Sequence, residues 1–110
     1  MENYHISRGK HFYTIGLSYK KAEATVRGHF SLTEEGKLNL LEKAKSEGID
    51  GLIVTSTCNR TEIYGFAQHP FQLIKLLCEF TQGTVEEFEK VAYVYKNKAA
   101  ISHMFHVGSG

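Results

Sequence analysis

The order of apolar and polar positions divides this chain into short strands and amphipathic helices. His11-Phe-Tyr-Thr-Ile-Gly-Leu17 alternates and is rich in β-formers, which predicts a first strand. Ser18 to Phe30 has no strong period and reads as a loop with room for a short helix. A helix opens at Ser31-Leu32-Thr33-Glu34-Glu35, with Ser31 or Thr33 as cap and glutamates at the positive end of the helix dipole. Leu38, Leu41 and Ala44 give it a buried stripe, and Gly48 ends it. The β-branched run Gly51 to Thr55 predicts a buried central strand, Ser56 to Arg60 a turn, and Glu62 to Ala67 the next strand. Pro70 suits a helix start, followed by an apolar face of Phe71, Leu73, Ile74, Leu77 and Phe80 ending near Gly83. Val85 to Lys90 fits one helical turn, Val91 to Tyr95 a fourth strand, and Lys98 to Val107 the beginning of a further helix.

The order strand, helix, strand, strand, helix, strand is that of an α+β, ferredoxin-like split βαβ sandwich (βαββαβ) with both helices on one face of the sheet. Residues 1–10 are expected to be a flexible N-terminus, residues 11–96 the sandwich domain, and residues 97–110 the start of a linking helix. The length of 110 residues suits one domain with a single core. Apolar residues at 42% and charged residues at 23% fit a soluble globular protein. No apolar run nears the roughly 20 residues of a membrane span, and the polar start lacks a signal-peptide core, so a cytoplasmic protein is expected. The net charge of +1 argues against sequence-independent gripping of long nucleic acid.

Two cysteines, Cys58 and Cys78, make no disulfide framework. Cys78 falls inside the amphipathic Leu76 to Phe80 stretch and reads as core filler. Cys58 stands in Ser56-Thr57-Cys58-Asn59-Arg60-Thr61-Glu62, where an apolar strand gives way to polar groups. In an extended segment residues i and i+2 share a side, so Arg60 would lie beside Cys58. A neighbouring guanidinium favours thiolate, the form that attacks an acyl carbon. Arg60 can instead grip a carboxylate, with Thr57 and Asn59 orienting the same ligand. The plainer alternative is a small, inert cysteine.

The stretch Ser56 to Tyr64, Ser-Thr-Cys-Asn-Arg-Thr-Glu-Ile-Tyr, closely resembles the signature of glutamyl-tRNA reductases. Gly16-Leu-Ser-Tyr-Lys20 to Arg27 is similar to that family's opening strand and loop, and Ile101 to Gly110 to the segment leading into its linking helix. The resemblance spans Phe12 to Gly110. It implies that Cys58 attacks the ester of glutamyl-tRNA to leave a glutamyl thioester. NADPH then reduces this to glutamate-1-semialdehyde, a tetrapyrrole precursor. It places the glutamate-binding motif on Thr57, Cys58, Asn59 and Arg60, and a histidine important for activity on His103. It further implies a homodimer when full length and a downstream aminomutase as partner.

Departures limit the carry-over. Ser18 to Glu23 replaces the family's usual Asn-His-Lys-Thr-Ala-Pro, so no contact is assigned there. The sequence has no Gly-x-Gly-x-x-Gly loop. The chain is therefore expected to be a catalytic-domain fragment that cannot complete the NADPH-dependent reduction alone. His103 and His106, three apart, can share a helix face. A zinc site wants three or four convergent ligands, so no metal is expected. The rival reading is an RNA-recognition module. It would use Tyr64-Gly65-Phe66-Ala67 and Tyr13 as stacking platforms on the same strand and helix order.

Overall fold

A computed structural model describes residues 9–18, 20 and 22–109. Residues 1–8 of the expected flexible N-terminus, Tyr19 and Lys21 of the first loop, and Gly110 lie outside the described residues. The elements run β1 (His11–Ser18), α1 (Ala24–His29), α2 (Glu34–Ser46), β2 (Ile53–Ser56), β3 (Arg60–Ala67), α3 (Pro70–Glu79), α4 (Val85–Val91), β4 (Tyr93–Lys96) and α5 (Lys98–Ser109). This is a mixed α/β fold with a four-stranded sheet in the order β2-β3-β1-β4, every neighbouring pair antiparallel. Strands β1 and β2, joined through helices, flank β3.

Local chemistry sets the boundaries. Thr33 caps α2, its hydroxyl accepting from Gly36 N at 3.0 Å. His69 caps α3 by accepting from Phe71 N at 3.1 Å, and Pro70 takes the first turn, where no N–H is needed. Thr84 caps α4, accepting from Glu87 N at 3.1 Å. Gly48 follows α2 with φ +84°, a backbone state that side chains disfavour.

Alternation along β1 and β3 gives the sheet two different faces. Ile15, Leu17 and Ile63 join Leu40, Leu73 and Leu77 in the core, all with no exposed surface. Burying a leucine in this way contributes about 1.5–3 kcal/mol. The opposite face carries Arg60, Glu62, Tyr64 and Tyr93, and α5 packs across it against β1 and β4. Thr14 of that face donates from its hydroxyl to the Ala100 carbonyl at 3.5 Å. Asn97, with φ 52°, turns the chain from β4 into α5. Its amide oxygen accepts from Phe12 N at 3.1 Å.

Several expectations are corrected. The run 51–55 is not a central strand: β2 lies at the sheet edge and Ile53 is 54% exposed. A β-branched run suits either place, because β-propensity measures fit to a pleated surface and not position in the sheet. The buried stripe of α2 is Leu40 and Ala44, while Leu38 is 64% exposed. Leu38 and Leu40 sit two residues apart on the helix, so they cannot face the same way. In α3, Leu76 joins Leu73, Ile74 and Leu77 in the core, and Phe71 is 41% exposed. The strand expected at 91–95 begins at Tyr93, because Val91 completes α4. Helices α1 and α4 extend the simple βαββαβ order, and α5 occupies the face opposite the core.

Candidate functional site

Strands β2 and β3 form a hairpin whose last ladder pair is Ser56 with Thr61. Beyond it, Thr57 N donates to the Arg60 carbonyl at 2.8 Å, leaving Cys58 and Asn59 as a two-residue loop. The Thr57 hydroxyl accepts from the backbone N–H groups of Asn59 and Arg60, each at 3.2 Å, and so shapes the turn from within. Cys58 is exposed at the apex, and its thiol faces the Asn59 amide oxygen at 3.9 Å. The extended geometry behind the expected Cys58–Arg60 neighbourhood is therefore absent. A tight turn separates the two residues, and Arg60 begins the next strand. Cys78 is half-buried, and burial, reinforced by nearby Glu87, pushes its thiol above the ordinary value of 9.0.

On the open face of β3, Glu62 is a buried carboxylate, 1% exposed, held from several sides. Tyr64 donates its hydroxyl to Oε1 at 2.6 Å. Oε2 accepts from the Tyr93 hydroxyl and from His103 Nε2, the latter at 2.6 Å. Arg60 lies at 3.6 Å from the same oxygen. Burial raises the Glu62 carboxyl. The hydrogen bonds from Tyr64, Tyr93 and His103, and the charge of His103, outweigh it and hold the group below its ordinary 4.5. Burial and the Glu62 contact push the phenols of both tyrosines well above 10.0. Bonding to a carboxylate requires hydrogen on Nε2 of His103, which leaves Nδ1 as the other functional nitrogen. The ring is held against Tyr93 and Tyr95, with centroids at 5.0 and 4.8 Å.

Two cavities meet along Arg60 and Val107. The larger, about 450 Å³, lies between the β2–β3 hairpin and α5, with Thr57, Asn59, Arg60, Glu62 and Tyr64 in its wall. The smaller, about 200 Å³, is walled by Ser18, Lys20, Arg60, Tyr95, His103 and His106. Thr57, Asn59 and Arg60 thus wall the larger cavity, Arg60 and His103 the smaller, and Cys58 lies exposed outside both linings. Sequence reasoning missed Glu62, Tyr64 and Tyr93 as a unit. The signal was available: Arg60, Glu62 and Tyr64 alternate with buried residues on one strand, so they share a face.

Among the described residues no group of three or more His, Cys, Asp or Glu comes together to hold a metal ion. Among the same residues no helix is long and apolar enough to cross a membrane. Of the aromatic residues in the RNA-recognition reading, Phe66 is 58% exposed, whereas neither tyrosine offers a free platform. Tyr13 is buried in the core on the other face, and Tyr64 is 5% exposed with its hydroxyl bound to Glu62.

Fold and site together define a mixed α/β domain that presents an accessible thiol beside a cleft walled by a guanidinium and a carboxylate-bound histidine. The chain belongs to the glutamyl-tRNA reductase family: residues 15–110 match the family described as "Glutamyl-tRNAGlu reductase, N-terminal domain". It is 84% identical over 110 residues to the glutamyl-tRNA reductase of Christiangramia forsetii, covering 100% of this chain and 26% of that protein. Its identity to the glutamyl-tRNA reductase of Flavobacterium psychrophilum is 69% over 110 residues, covering 100% of this chain and 27% of that protein. The chain therefore spans about a quarter of the length of these relatives. The solved glutamyl-tRNA reductase of Methanopyrus kandleri shares the fold, with a TM-score of 0.64, 21% identity, and 90% of this chain and 22% of that one covered.

Proposed function

We propose that this domain performs the acyl-transfer half of glutamyl-tRNA reduction. The Cys58 thiolate attacks the ester carbonyl of glutamyl-tRNA, an S–C bond forms, and the C–O bond to the terminal ribose breaks. Arg60 holds a carboxylate of the glutamyl group in the larger cavity, with Thr57 and Asn59 beside it. His103, fixed through Nε2 by Glu62, supplies a proton from Nδ1 to the leaving ribose oxygen. The observation that carries this reading is the position of Arg60: it walls one cavity with Thr57 and Asn59 of the turn that bears the exposed thiol, and a second cavity with His103. The strand order supports reading the domain as a ferredoxin-like split βαβ sandwich over residues 11–96, with residues 97–110 as the start of a linking helix.

The residues present do not fit NADPH. The sequence has no Gly-x-Gly-x-x-Gly turn between a strand and a helix, and α2 and α3 open on the side-chain caps Thr33 and His69. The hydride half belongs to the rest of the full-length protein. The same reading makes that protein a cytoplasmic homodimer that passes its semialdehyde to an aminomutase in tetrapyrrole synthesis.

The decisive experiment charges tRNA with labelled glutamate, omits NADPH, and looks for label on the full-length protein. Label attached through Cys58 and lost in Cys58→Ser is expected. No transfer, or transfer that survives Cys58→Ser, overturns the proposal.

A further inference from the structure

We infer that Arg27 is a positioning residue that fixes the Cys58 turn against the loop following β1, an inference that rests on reading Cys58 as the acyl acceptor. The turn projects past the last ladder pair of its hairpin, Ser56 with Thr61. The bonds within it set its shape but not its direction. One outside tie lies below the apex, where Leu32 N donates to the Ser56 hydroxyl at 3.0 Å. At the apex, Arg27 Nε donates to the Cys58 carbonyl at 3.2 Å. The same guanidinium donates through Nη1 to the Ala22 carbonyl at 2.6 Å.

Nε and Nη1 belong to one rigid plane, so bonding both carbonyls at once fixes their separation. Ala22 is a firm anchor. It is 3% exposed, and its N–H donates to the Ser18 carbonyl at the end of β1 at 3.0 Å. Ser18 in turn walls the smaller cavity together with His103. Arg27 thus couples the backbone of the thiol residue to the side of the cleft that holds the histidine. Helix α1 contains no fully buried residue and reaches the core only through the partly buried Val26. Nucleophilic attack depends on trajectory, and a displacement of about 1 Å can cost about 100-fold in rate.

The test uses the full-length protein with Arg27→Ala and Arg27→Lys. Single-turnover transfer of labelled glutamate to Cys58 should fall about 10- to 100-fold in Arg27→Ala, with half-saturation by glutamyl-tRNA little changed. Lysine keeps the charge but not the rigid fork, so Arg27→Lys should remain close to the alanine variant. Alkylation of Cys58 by a small neutral reagent, which needs no set trajectory, should stay within about twofold of wild type. Hydrogen exchange at the Asn59 and Arg60 amides should quicken in both variants. An unchanged transfer rate, full rescue by lysine, or loss that merely follows a lowered melting temperature overturns the inference. If wild type places no label on Cys58, the acyl-transfer reading fails separately. Exchange at the apex then decides the brace, and unchanged exchange refutes it.

Discussion

At the scale of single residues, Glu62 governs the site. Its folded carboxyl titrates below its ordinary 4.5, so the folded state favours the ionised form. The associated stability is fully present above about pH 4.5 and is lost as pH falls through the lowered folded value. Glu62→Gln should remove this acid-side loss, and denaturant midpoints measured from neutral to acid pH will show it. The same variant should slow label transfer to Cys58 by about tenfold or more, because an amide oxygen accepts from His103 Nε2 more weakly than a carboxylate and fixes the ring less firmly. Tyr64 and Tyr93 are shifted the other way, above 10.0. Their contribution is present below the unfolded value and is lost as pH rises through the folded one. Ultraviolet titration of phenolate should find two tyrosines ionising late in wild type and earlier in Glu62→Gln. The sequence already displayed most of these side chains. Cys58 and Arg60 were legible as candidates, but their relation was not, since i and i+2 are neighbours in a strand and not across a two-residue turn. Glu62 passed as an ordinary strand residue because its partners Tyr93 and His103 are 31 and 41 positions away.

At the scale of elements, the site depends on how closely β1 approaches β3. Gly16 pairs with Glu62 on one side and Tyr93 on the other. A Cβ at Gly16 would come within 2.5 Å of the Thr61 carbonyl and 2.8 Å of the Glu62 side chain. Gly16→Ala should therefore destabilise the fold by about 1–3 kcal/mol, as overpacking does. It should also move Glu62 away from its donors, so late-ionising tyrosines would be lost at temperatures where the protein remains folded. Thr33→Ala is the contrasting change. It removes a helix cap that lines neither cavity and should cost about 1 kcal/mol in denaturant unfolding without affecting the tyrosine titration. Element identity was largely readable, because caps, Pro70 and period each act locally. Element placement was not. The edge position of β2 and the burial of Leu40 in place of Leu38 follow from what packs against them, which no local period records.

At the scale of the whole molecule, the sheet separates two tasks. One face holds the apolar core against α2 and α3, and the other holds the polar site under α5. Strand alternation foretold a sheet with two kinds of face. It could not say that α5 would close the second one, since an amphipathic helix records only that some surface covers it. This division also bears on how much chemistry the chain can complete. The proposed nucleophile Cys58, the proposed carboxylate clamp Arg60 and the Glu62-bound His103 are carried by the hairpin, the sheet and α5. Hydride delivery has no counterpart among them, and the chain spans about a quarter of its relatives' length. The 110-residue chain, incubated with labelled glutamyl-tRNA, should therefore acquire label at Cys58 whether or not NADPH is present. Added NADPH should neither be consumed nor release the label as an aldehyde, whereas the full-length protein should do both. Aldehyde trapped from the short chain would place the reduction within this domain and refute the division of labour. If the short chain acquires no label but the full-length protein does, the acyl-transfer half also requires surfaces beyond residue 110, and the cleft described here is only one wall of it.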